Sequence, residues 1–273
     1  MKKIIRFSIE SLIKGLSGSR LGELIFKEVI QEVLNRSKKV THNGVTMRFA
    51  VPNWLNHYRA DSFAIKEPET LTWIEQIPDG SVVWDIGANV GLYSIYAASL
   101  RYCKVYAFEP SVFNLELLAR NIYFNSLQNK IVIVPVALSN SISENLFRMS
   151  STQWGGALST FGENIDQHGN PFKQMFEYRT IGLPADNIHV SMHIQRPDFI
   201  KMDVDGIEHF IMQGGKDILS TVKSVLVEIN DDFTEQSSVS NQILSSAGLT
   251  LYKKCKEGVA EDFHQYNQWW VRS

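Results

Sequence analysis

The sequence predicts a doubly wound α/β fold with a mostly parallel sheet, and three observations lead to this prediction. The chain has 273 residues and is 44% hydrophobic, which suits one large globular domain with a small appendage. From Ser81 onward, short apolar segments of strand length alternate with helical segments. This alternation is typical of right-handed crossovers, which build a parallel sheet covered on both faces. The predicted strands are Val82–Ile86, Val105–Phe108, Ile131–Val136, Phe199–Val204 and Ser224–Ile229, and the predicted helices include Gly91–Leu100 and Val112–Asn125.

A helical and hairpin extension precedes this domain. Apolar residues recur at helical spacing over residues 20–36, which predicts an amphipathic helix. The pair Asn43-Gly44 lies between two short β-forming segments and predicts a tight hairpin. Pro68 is well placed at the start of a further helix, which we expect to run through Ile77. The predicted organisation is an extension over residues 1–80 and a main domain over residues 81–273.

Residues 140–180 interrupt the alternation of strands and helices. They are rich in Ser, Gly, Asn and Gln, and we predict an irregular insertion there. Trp154 and Phe161 are aromatic side chains that can stack on a sugar ring. The insertion is therefore predicted to be a lid or an acceptor-binding loop, with an ordinary surface insertion as the alternative.

The distribution of charge argues against nucleic acid as a partner. The net charge is −2, so no overall basic field favours binding to a polyanion. Residues 1–40 carry nine Lys or Arg and four Glu, a net +5, which leaves −7 on the remainder. The basic segment predicts either a solvated helix packed on the domain or peripheral contact with an anionic membrane surface. No apolar run approaches the length of about 20 residues that a membrane span needs.

The cysteines favour a cytoplasmic location. Cys103 and Cys255 form no pairing pattern and no Cys-x-x-Cys motif. A disulfide framework or a zinc knuckle is therefore not predicted, and a reducing cytosol fits best.

The strongest motif for a cofactor is a strand that runs into a glycine turn and then a helix. Residues 83–86 form the end of the apolar strand, and Gly87 and Gly91 follow it. Glycine lets the backbone approach a ligand closely because it has no Cβ. Ligands of open α/β sheets bind beyond the carboxyl ends of the strands, so we expect this turn to hold a cofactor.

Two cofactor classes compete for this turn. A dinucleotide site would have Gly-x-Gly-x-x-Gly, but Asn89 occupies the position of the second glycine. Asp85 ends the strand, where its charge would oppose a pyrophosphate. S-adenosylmethionine carries an ammonium and a sulfonium instead, which a nearby carboxylate favours. Asp85 therefore favours S-adenosylmethionine.

Glu109 supports the same choice. It follows the second strand, 22 positions after Gly87. An acidic residue at this distance lies beside the first turn and can accept both ribose hydroxyls. The structural alternative is a carboxylate that complements the dipole of the following helix.

Four blocks of the sequence resemble the FkbM-type methyltransferases. They are Trp84-Asp-Ile-Gly-Ala-Asn-Val-Gly-Leu-Tyr, Ala107-Phe-Glu-Pro, Phe199-Ile-Lys-Met-Asp-Val-Asp-Gly-Ile-Glu and Leu226-Val-Glu-Ile. The segments Tyr58-Arg-Ala and Glu67-Pro-Glu-Thr resemble the lead-in of this family, so the resemblance spans about residues 58–230. The third block, Lys-x-Asp-x-x-Gly-x-Glu after a strand, is its most specific element.

The resemblance implies a Rossmann-like class I methyltransferase fold and S-adenosylmethionine-dependent O-methylation, often of a hydroxyl on a sugar or a secondary metabolite. Bacterial members commonly belong to glycan biosynthesis, which makes a saccharide the expected acceptor. Asp205 departs from the family, which usually has Glu there, so its individual role is not carried over. The residues expected to bind the donor are Asp85, Gly87, Ala88, Asn89, Gly91, Glu109 and Pro110.

Polar residues at the ends of two neighbouring strands are the expected catalytic groups. Asp203 is the preferred general base, because it ends the fourth strand before the next helix starts. Lys201 alternates with Asp203 on the same face of the strand. Glu208 is either catalytic or part of a capping box with Asp205, and Glu228 ends the neighbouring strand.

Three alternatives remain open from the sequence. Asp203, Glu228 and Asn230 offer oxygen ligands suited to Mg²⁺, although no metal is assigned. A binding module that keeps the cofactor without turnover is one alternative to an enzyme, and the presence of Lys201 and Asp203 argues against it. A nicotinamide-dependent oxidoreductase is another, and Asp85 and Asn89 argue against that.

Overall fold

The computed structural model of the protein describes residues 2–256 and 264–272, and the side chains of residues 2–6, 9 and 256 lie outside this description. The helices are α1 (Lys2–Ser17), α2 (Arg20–Asn35), α3 (Trp54–Asp61), α4 (Phe63–Lys66), α5 (Pro68–Gln76), α6 (Leu92–Leu100), α7 (Val112–Phe124), α8 (Ala185–Ser191), α9 (Glu208–Gln213), α10 (Lys216–Leu219) and α11 (Thr234–Ser246). The strands are β1 (Ser37–His42), β2 (Val45–Ala50), β3 (Val82–Ile86), β4 (Lys104–Phe108), β5 (Ile131–Val134), β6 (Ala137–Leu138), β7 (Ser143–Met149), β8 (Ser159–Phe161), β9 (Phe176–Leu183), β10 (Phe199–Met202), β11 (Ser224–Asn230), β12 (Leu249–Lys256) and β13 (Gln265–Arg272).

The main sheet confirms the predicted doubly wound fold. Within the described residues its seven strands have the order β12-β13-β11-β10-β3-β4-β5. The five strands from β11 to β5 pair in parallel, and β13 pairs antiparallel with both β11 and β12. The chain winds outward from β3 to β5 and then from β10 in the opposite direction. The order therefore reverses between β3 and β10, where open α/β sheets bind their ligands.

Both faces of the main sheet are buried, as its parallel strands require. Trp84 and Ile86 of β3 point into one apolar cluster, which also contains Val227 of β11. Val83, which precedes Trp84 in the sequence, packs into the second cluster on the opposite face with Ile95 of α6. Because successive side chains of a strand alternate between faces, burial on both sides requires the continuous apolar runs of the sequence.

The extension folds as predicted and packs on the main domain. Asn43 and Gly44 have positive φ angles of 43° and 77° and join β1 to β2 in a hairpin. Side chains of α7 then bind the backbone of β2. The Asn121 Oδ1 accepts from the amide of Ala50 at 2.7 Å, and Asn125 Nδ2 donates to the carbonyl of Arg48 at 2.7 Å. The hairpin is thereby fixed beside the glycine turn at the end of β3.

The prediction that residues 140–180 are irregular is only partly right, because residues 150–158 and 162–175 lie outside strands and helices whereas the rest of the segment is mostly strand. Strands β7, β8 and most of β9 lie within this segment and join β6 in a second sheet of the order β6-β9-β7-β8. The strands were hidden in the sequence because only a few of their side chains are apolar and buried. Phe147 and Met149 of β7 and Phe161 of β8 face the core, whereas polar side chains alternate with them. Strands β12 and β13 were also missed, since their alternation includes Lys, Gln and Asn.

Helices α1 and α2 expose much of their apolar surface, and no helix of the described residues is both long and apolar enough to cross a membrane. Lys2, Lys3 and Arg6, on which the predicted membrane contact partly depends, have side chains outside the described set. Contact with an anionic membrane therefore stays a prediction. The exposed apolar side chains are Phe7, Leu12 and Ile13 of α1 and Leu21, Leu24, Ile25, Val29 and Ile30 of α2.

Candidate active site

A cavity of about 430 Å³ lies at the carboxyl ends of the central strands, where the strand order reverses. The end of β3 contributes Asp85, the end of β4 contributes Glu109, and β10 and the loop after it contribute Lys201 and Asp203. Glu228 of β11 lines the same cavity. The sheet topology thus brings together residues that are up to 143 positions apart in the sequence, from Asp85 to Glu228.

The two glycines of the predicted donor turn have different roles. Gly87 lines the cavity with φ +84°, and a Cβ on it would lie 1.8 Å from the carbonyl oxygen of Asp203. Glycine is required here because the turn packs directly against the backbone that ends β10. Gly91 does not line the cavity. A Cβ on Gly91 would lie 2.4 Å from Leu118 Cδ1, so the predicted contact with the donor is corrected to packing of the turn against α7.

The turn and Glu109 form one hydrogen-bonded unit. Glu109 Oε2 accepts from the amide of Asn89 at 2.8 Å, and Oε1 accepts from the amide of Ser111 at 2.7 Å. Ala88 and Pro110 also line the cavity. Each oxygen of Glu109 has a second lone pair, which can accept a ribose hydroxyl.

Burial makes both carboxyls at this end of the cavity harder to ionise. It raises the pKa of Glu109 to about 7, although the amides of Ser111 and Asn89 oppose the shift. Burial likewise raises the pKa of Asp85, against the nearby ammonium of Lys201 and the hydroxyl of Ser94. Asp85 Oδ2 accepts from Ser94, whereas Oδ1 has no hydrogen-bond partner among the described residues. A cationic ligand would stabilise the ionised form of both groups.

If Glu109 accepts the ribose hydroxyls as the sequence predicts, donor affinity should fall as the pH is lowered through about 7, because the ionised carboxylate is the stronger acceptor. A ligand that binds only the ionised form loses up to about tenfold in affinity per pH unit below that pKa. The Glu109→Gln variant should bind about 1–3 kcal/mol more weakly at pH 8 and lose this dependence, as measured by calorimetric titration with S-adenosylmethionine between pH 5.5 and 8.5.

The matched control is Glu208→Gln, since the pKa of buried Glu208 is also raised to about 7 but its side chain lies outside the cavity. That variant should keep the pH dependence. If Glu208→Gln rather than Glu109→Gln flattens the profile, Glu109 is not the ribose-binding carboxylate.

Buried Lys201 and half-buried Asp203 form an ion pair in the same cavity. Lys201 Nζ lies 2.9 Å from Asp203 Oδ2 and 5.1 Å from the centre of the Tyr93 ring. Burial opposes the charge of Lys201, but the carboxylates of Asp203, Glu67 and Asp85 outweigh it and raise its pKa above the ordinary value. Burial also opposes the charge of Asp203, and Lys201 outweighs it and lowers the pKa. Both groups are therefore ionised at neutral pH.

Glu208 lies outside the cavity, so its predicted catalytic role is corrected to support of the loop that follows β10. Its side chain is fully buried, and its carboxylate accepts from the amides of Val204 at 3.0 Å and Gly206 at 3.1 Å. Gln236 of α11 also donates to it. The predicted capping box of Asp205 and Glu208 is not formed either, because Glu208 is the first residue of α9 and the residue before it, Ile207, caps the helix without a side-chain hydrogen bond.

Asp205 links the second sheet to the loop that follows β10 through hydrogen bonds, and it does not cap a helix. Its carboxylate accepts from the amides of Leu158 at 2.8 Å and Ser159 at 3.3 Å. Its backbone is left-handed, with φ +61°. Burial and the neighbouring charge of Asp203 raise the pKa of Asp205 to about 6. The contact holds residues 156–161 along one wall of the cavity.

The segment Trp154–Gly156, which the sequence predicted as part of a lid, is bound from several sides. Asn89 Nδ2 and Asn114 Nδ2 donate to the carbonyl of Gly156 at 2.8 and 3.1 Å, and Arg59 donates twice to the carbonyl of Gly155. The Trp154 ring packs against an apolar cluster rather than lining the cavity. The predicted stacking of Trp154 on a sugar is therefore corrected.

One end of the cavity is apolar and suits an adenine ring. Phe147 and Phe161 of the second sheet and Leu138 of β6 line it. Phe161 was predicted to stack on a sugar, but it is buried beside these residues instead. Leu138 and the other residues that follow β5, Val136 and Ala137, line the cavity together with Glu109, which follows β4.

The extension supplies lining residues that sequence reasoning did not predict as site residues. Tyr58, Arg59, Lys66 and Glu67 line the cavity from α3 and the segment after it, and Gln265 lines it from β13. The only signal in the sequence was the family-like lead-in at residues 58–60 and 67–70. Counting these, six carboxyl side chains and three cationic side chains line the cavity: Glu67, Asp85, Glu109, Asp203, Asp205 and Glu228 against Arg59, Lys66 and Lys201.

The excess of carboxyls fits S-adenosylmethionine, whose ammonium, sulfonium and carboxylate sum to one positive charge, and it opposes a pyrophosphate. In the part of the chain that the structure describes, no group of three or more His, Cys, Asp or Glu side chains could hold a metal ion. The Asp203 carboxylate is paired with the Lys201 ammonium instead.

The strand order defines a Rossmann-like doubly wound fold, and the family match that follows makes the chain a methyltransferase. The sequence pattern of the FkbM methyltransferase domain matches residues 85–269, about two thirds of the chain, and the chain belongs to this family.

Two characterised relatives have the same activity in their names. The hexuronic acid methyltransferase AglP of Haloferax volcanii is 23% identical over 188 residues, which cover 69% of this chain and 72% of the relative. The methyltransferase sdnD of Sordaria araneosa is 24% identical over 227 residues, covering 70% of this chain and 82% of the relative.

Two solved structures that resemble this chain have a lower sequence identity to it than these two relatives. The methyltransferase FkbM from Methylobacillus flagellatus superposes with a TM-score of 0.46 at 18% identity, over 72% of this chain and 44% of that chain. TYW2 of M. jannaschii in complex with AdoMet superposes with a TM-score of 0.46 at 12% identity, over 87% of each chain. Both TM-scores are below 0.5, so the fold assignment rests on the strand order described above.

Proposed function

We propose that the protein is an S-adenosylmethionine-dependent O-methyltransferase that acts on a hydroxyl of a saccharide. One observation carries the proposal. The cavity that contains the donor turn and Glu109 also contains the ionised pair Lys201–Asp203, so donor and acceptor groups share one enclosed space.

The donor would lie along the ends of β3 and β4. Its ribose hydroxyls would be accepted by Glu109, and its adenine would lie among Phe147, Phe161 and Leu138. Its cationic methionine portion would lie towards Asp85, whose Oδ1 lacks a partner among the described residues. When bound, S-adenosylmethionine supplies an electrophilic methyl group on its sulfonium.

Asp203 would orient the acceptor. Its side chain is 27% exposed, and one of its oxygens is held by Lys201 at 2.9 Å. The carboxylate can accept a hydrogen bond from the acceptor hydroxyl and direct an oxygen lone pair towards the donor, which provides the alignment that most of the rate requires. As the new C–O bond forms, the acceptor oxygen becomes positively charged and its proton becomes strongly acidic. A carboxylate of lowered pKa is then still basic enough to take the proton.

Two considerations support a saccharide as the acceptor. One relative is named a hexuronic acid methyltransferase, although its identity to this chain is 23%. The remainder of the chain beyond residue 40 has a net charge of −7, which does not suit a nucleic acid. The proposal includes a role in glycan biosynthesis in the cytoplasm. A secondary-metabolite hydroxyl is the alternative acceptor.

A transfer assay tests the proposal. The purified protein is incubated with S-adenosylmethionine carrying a labelled methyl group and with a panel of neutral and acidic mono- and oligosaccharides, peptides, polyketides and phenols. We expect label on a saccharide, as an alkali-stable methyl ether identified by mass spectrometry. Label only on a peptide, polyketide or phenol would contradict the proposed acceptor, and donor binding without transfer to any class would support a binding module instead.

A further inference from the structure

Helix α3 presents one face to the cavity. Leu55, Tyr58, Arg59 and Ser62 line the cavity, and their spacing of three and four residues places them on a single side of the helix and its C-terminal end. Since α3 belongs to the extension, part of the wall of the cavity is supplied by a segment that precedes the main domain. This part of the wall lies near Asp203, because the positive charges of Arg59 and the nearby Lys66 both lower the pKa of Asp203.

An aromatic pair continues from this wall towards solvent. Trp54 and Tyr58 are one helical turn apart, their ring centres are 5.5 Å apart, and their planes differ by 16°. Tyr58 is 50% exposed and lines the cavity, whereas Trp54 is 76% exposed and does not. The pair thus forms a stacked surface that begins at the cavity and extends outward. We call these two rings the aromatic platform.

Hydrogen bonds fix the position of α3, the helix that carries the aromatic platform. Asn53 caps α3 by accepting from the amide of Asn56 at 2.9 Å, and the side-chain amides of Asn53 and Asn56 both donate to the carbonyl of Trp154. Arg59 donates to the neighbouring carbonyl of Gly155 at 2.7 Å. The helix is therefore joined to the segment that closes over the donor turn, so the platform has a fixed position relative to the donor.

We propose that the aromatic platform binds a second sugar unit of the acceptor, so that the preferred substrate is an oligosaccharide or polysaccharide chain rather than a free monosaccharide. This inference rests on the function proposed above. A sugar ring has apolar C–H faces and a polar edge, and a rigid amphipathic aromatic ring matches it with little loss of side-chain entropy. The first unit occupies the cavity at Asp203, and the chain leaves past Tyr58 across Trp54.

The aromatic platform continues the surface of the cavity, and this continuity favours a chain of sugar units as its ligand. A large exposed aromatic surface beside a binding cavity marks a contact with a ligand or partner more often than an isolated exposed side chain does. Tyr58 belongs to both surfaces, so a chain bound at Asp203 would contact the platform without any change in the fold.

The test compares Trp54→Ala with the unchanged protein on two acceptors. These are the monosaccharide that the transfer assay finds methylated and its oligosaccharides of two to four units. We expect the unchanged protein to have a lower KM for the oligosaccharides. Trp54→Ala should raise that KM about tenfold, leave kcat unchanged and leave the monosaccharide KM within about twofold, because only the second unit loses its contact. Trp54→Phe should restore most of the affinity.

Tyr123→Ala is the matched control, since Tyr123 is also 76% exposed on a helix, stands beside an aromatic neighbour and lies outside the cavity. It should change neither KM, and calorimetry should give unchanged donor affinity in all three variants. Equal KM changes on the two acceptors, or none, would overturn the inference while leaving the proposed function in place. The inference would also be overturned if Trp54→Ala altered the sedimentation mass or the binding to vesicles without changing KM. If no saccharide is methylated at all, the proposed function fails and this inference fails with it.

Discussion

Replacing Asp203 by Asn is expected to lower kcat for methyl transfer by about 10²–10⁴-fold, the usual contribution of a positioned base. The amide keeps the shape of the side chain but cannot accept the proton of the acceptor hydroxyl. It also leaves the buried ammonium of Lys201 without its anionic partner at 2.9 Å. Donor affinity should change much less, because the donor turn and Glu109 are untouched. The measurements are single-turnover transfer and calorimetric titration on the same preparation.

Asp232→Asn is the control, since Asp232 is an exposed carboxylate beside His264 and does not line the cavity. It should transfer at the rate of the unchanged protein. If Asp203→Asn also keeps that rate, Asp203 is not the catalytic carboxylate. If transfer by the unchanged protein depends on added Mg²⁺ and is lost in a chelator, Asp203 acts as a metal ligand instead.

Gly87→Ala is expected to lower donor affinity at least tenfold and to reduce thermal stability. The new Cβ would lie 1.8 Å from the carbonyl oxygen of Asp203, so the donor turn or the end of β10 must move. The left-handed backbone at φ +84° adds strain of the order of 1–3 kcal/mol for a residue other than glycine. Calorimetry and thermal unfolding measure the two effects.

Gly44→Ala separates the clash from the strain. Gly44 has a similar φ of +77°, but nothing lies within 4 Å of a Cβ placed there. This variant should lose stability through backbone strain and keep its donor affinity. Equal donor affinity in Gly87→Ala and the unchanged protein would mean that the glycine turn does not form the donor site.

The strand–turn–helix unit from Val82 to Leu100 could be predicted because a parallel strand buried on both faces must be continuously apolar. That Asp85, Gly87, Asn89 and Glu109 line one cavity could be predicted because the ends of adjacent parallel strands meet at one edge, and their contact with the donor stays a prediction. Gly91 was assigned to the donor because spacing alone does not show which glycine faces the ligand and which faces Leu118.

The conformation of the loop after β10 and the composition of the cavity walls depend on contacts between residues that are far apart in the sequence. No local sequence pattern predicts such contacts. The sequence favours Asp203 over Asp205 and Glu208 as the base, but it does not show that Asp203 and Asp205 line the cavity whereas Glu208 does not. Arg59 comes from a segment about 140 residues before Asp203. The strands of the second sheet were hidden because much of each strand is polar.

We expect S-adenosylmethionine to bind in the cavity where the strand order reverses. Calorimetric titration of the unchanged protein and of Glu109→Gln with S-adenosylmethionine, followed by titration with NADH, measures this binding. We expect one donor site per chain, weaker binding by about 1–3 kcal/mol in the variant at pH 8, and no binding of NADH. Binding of NADH at this site, or identical affinity of both proteins for S-adenosylmethionine, would contradict it.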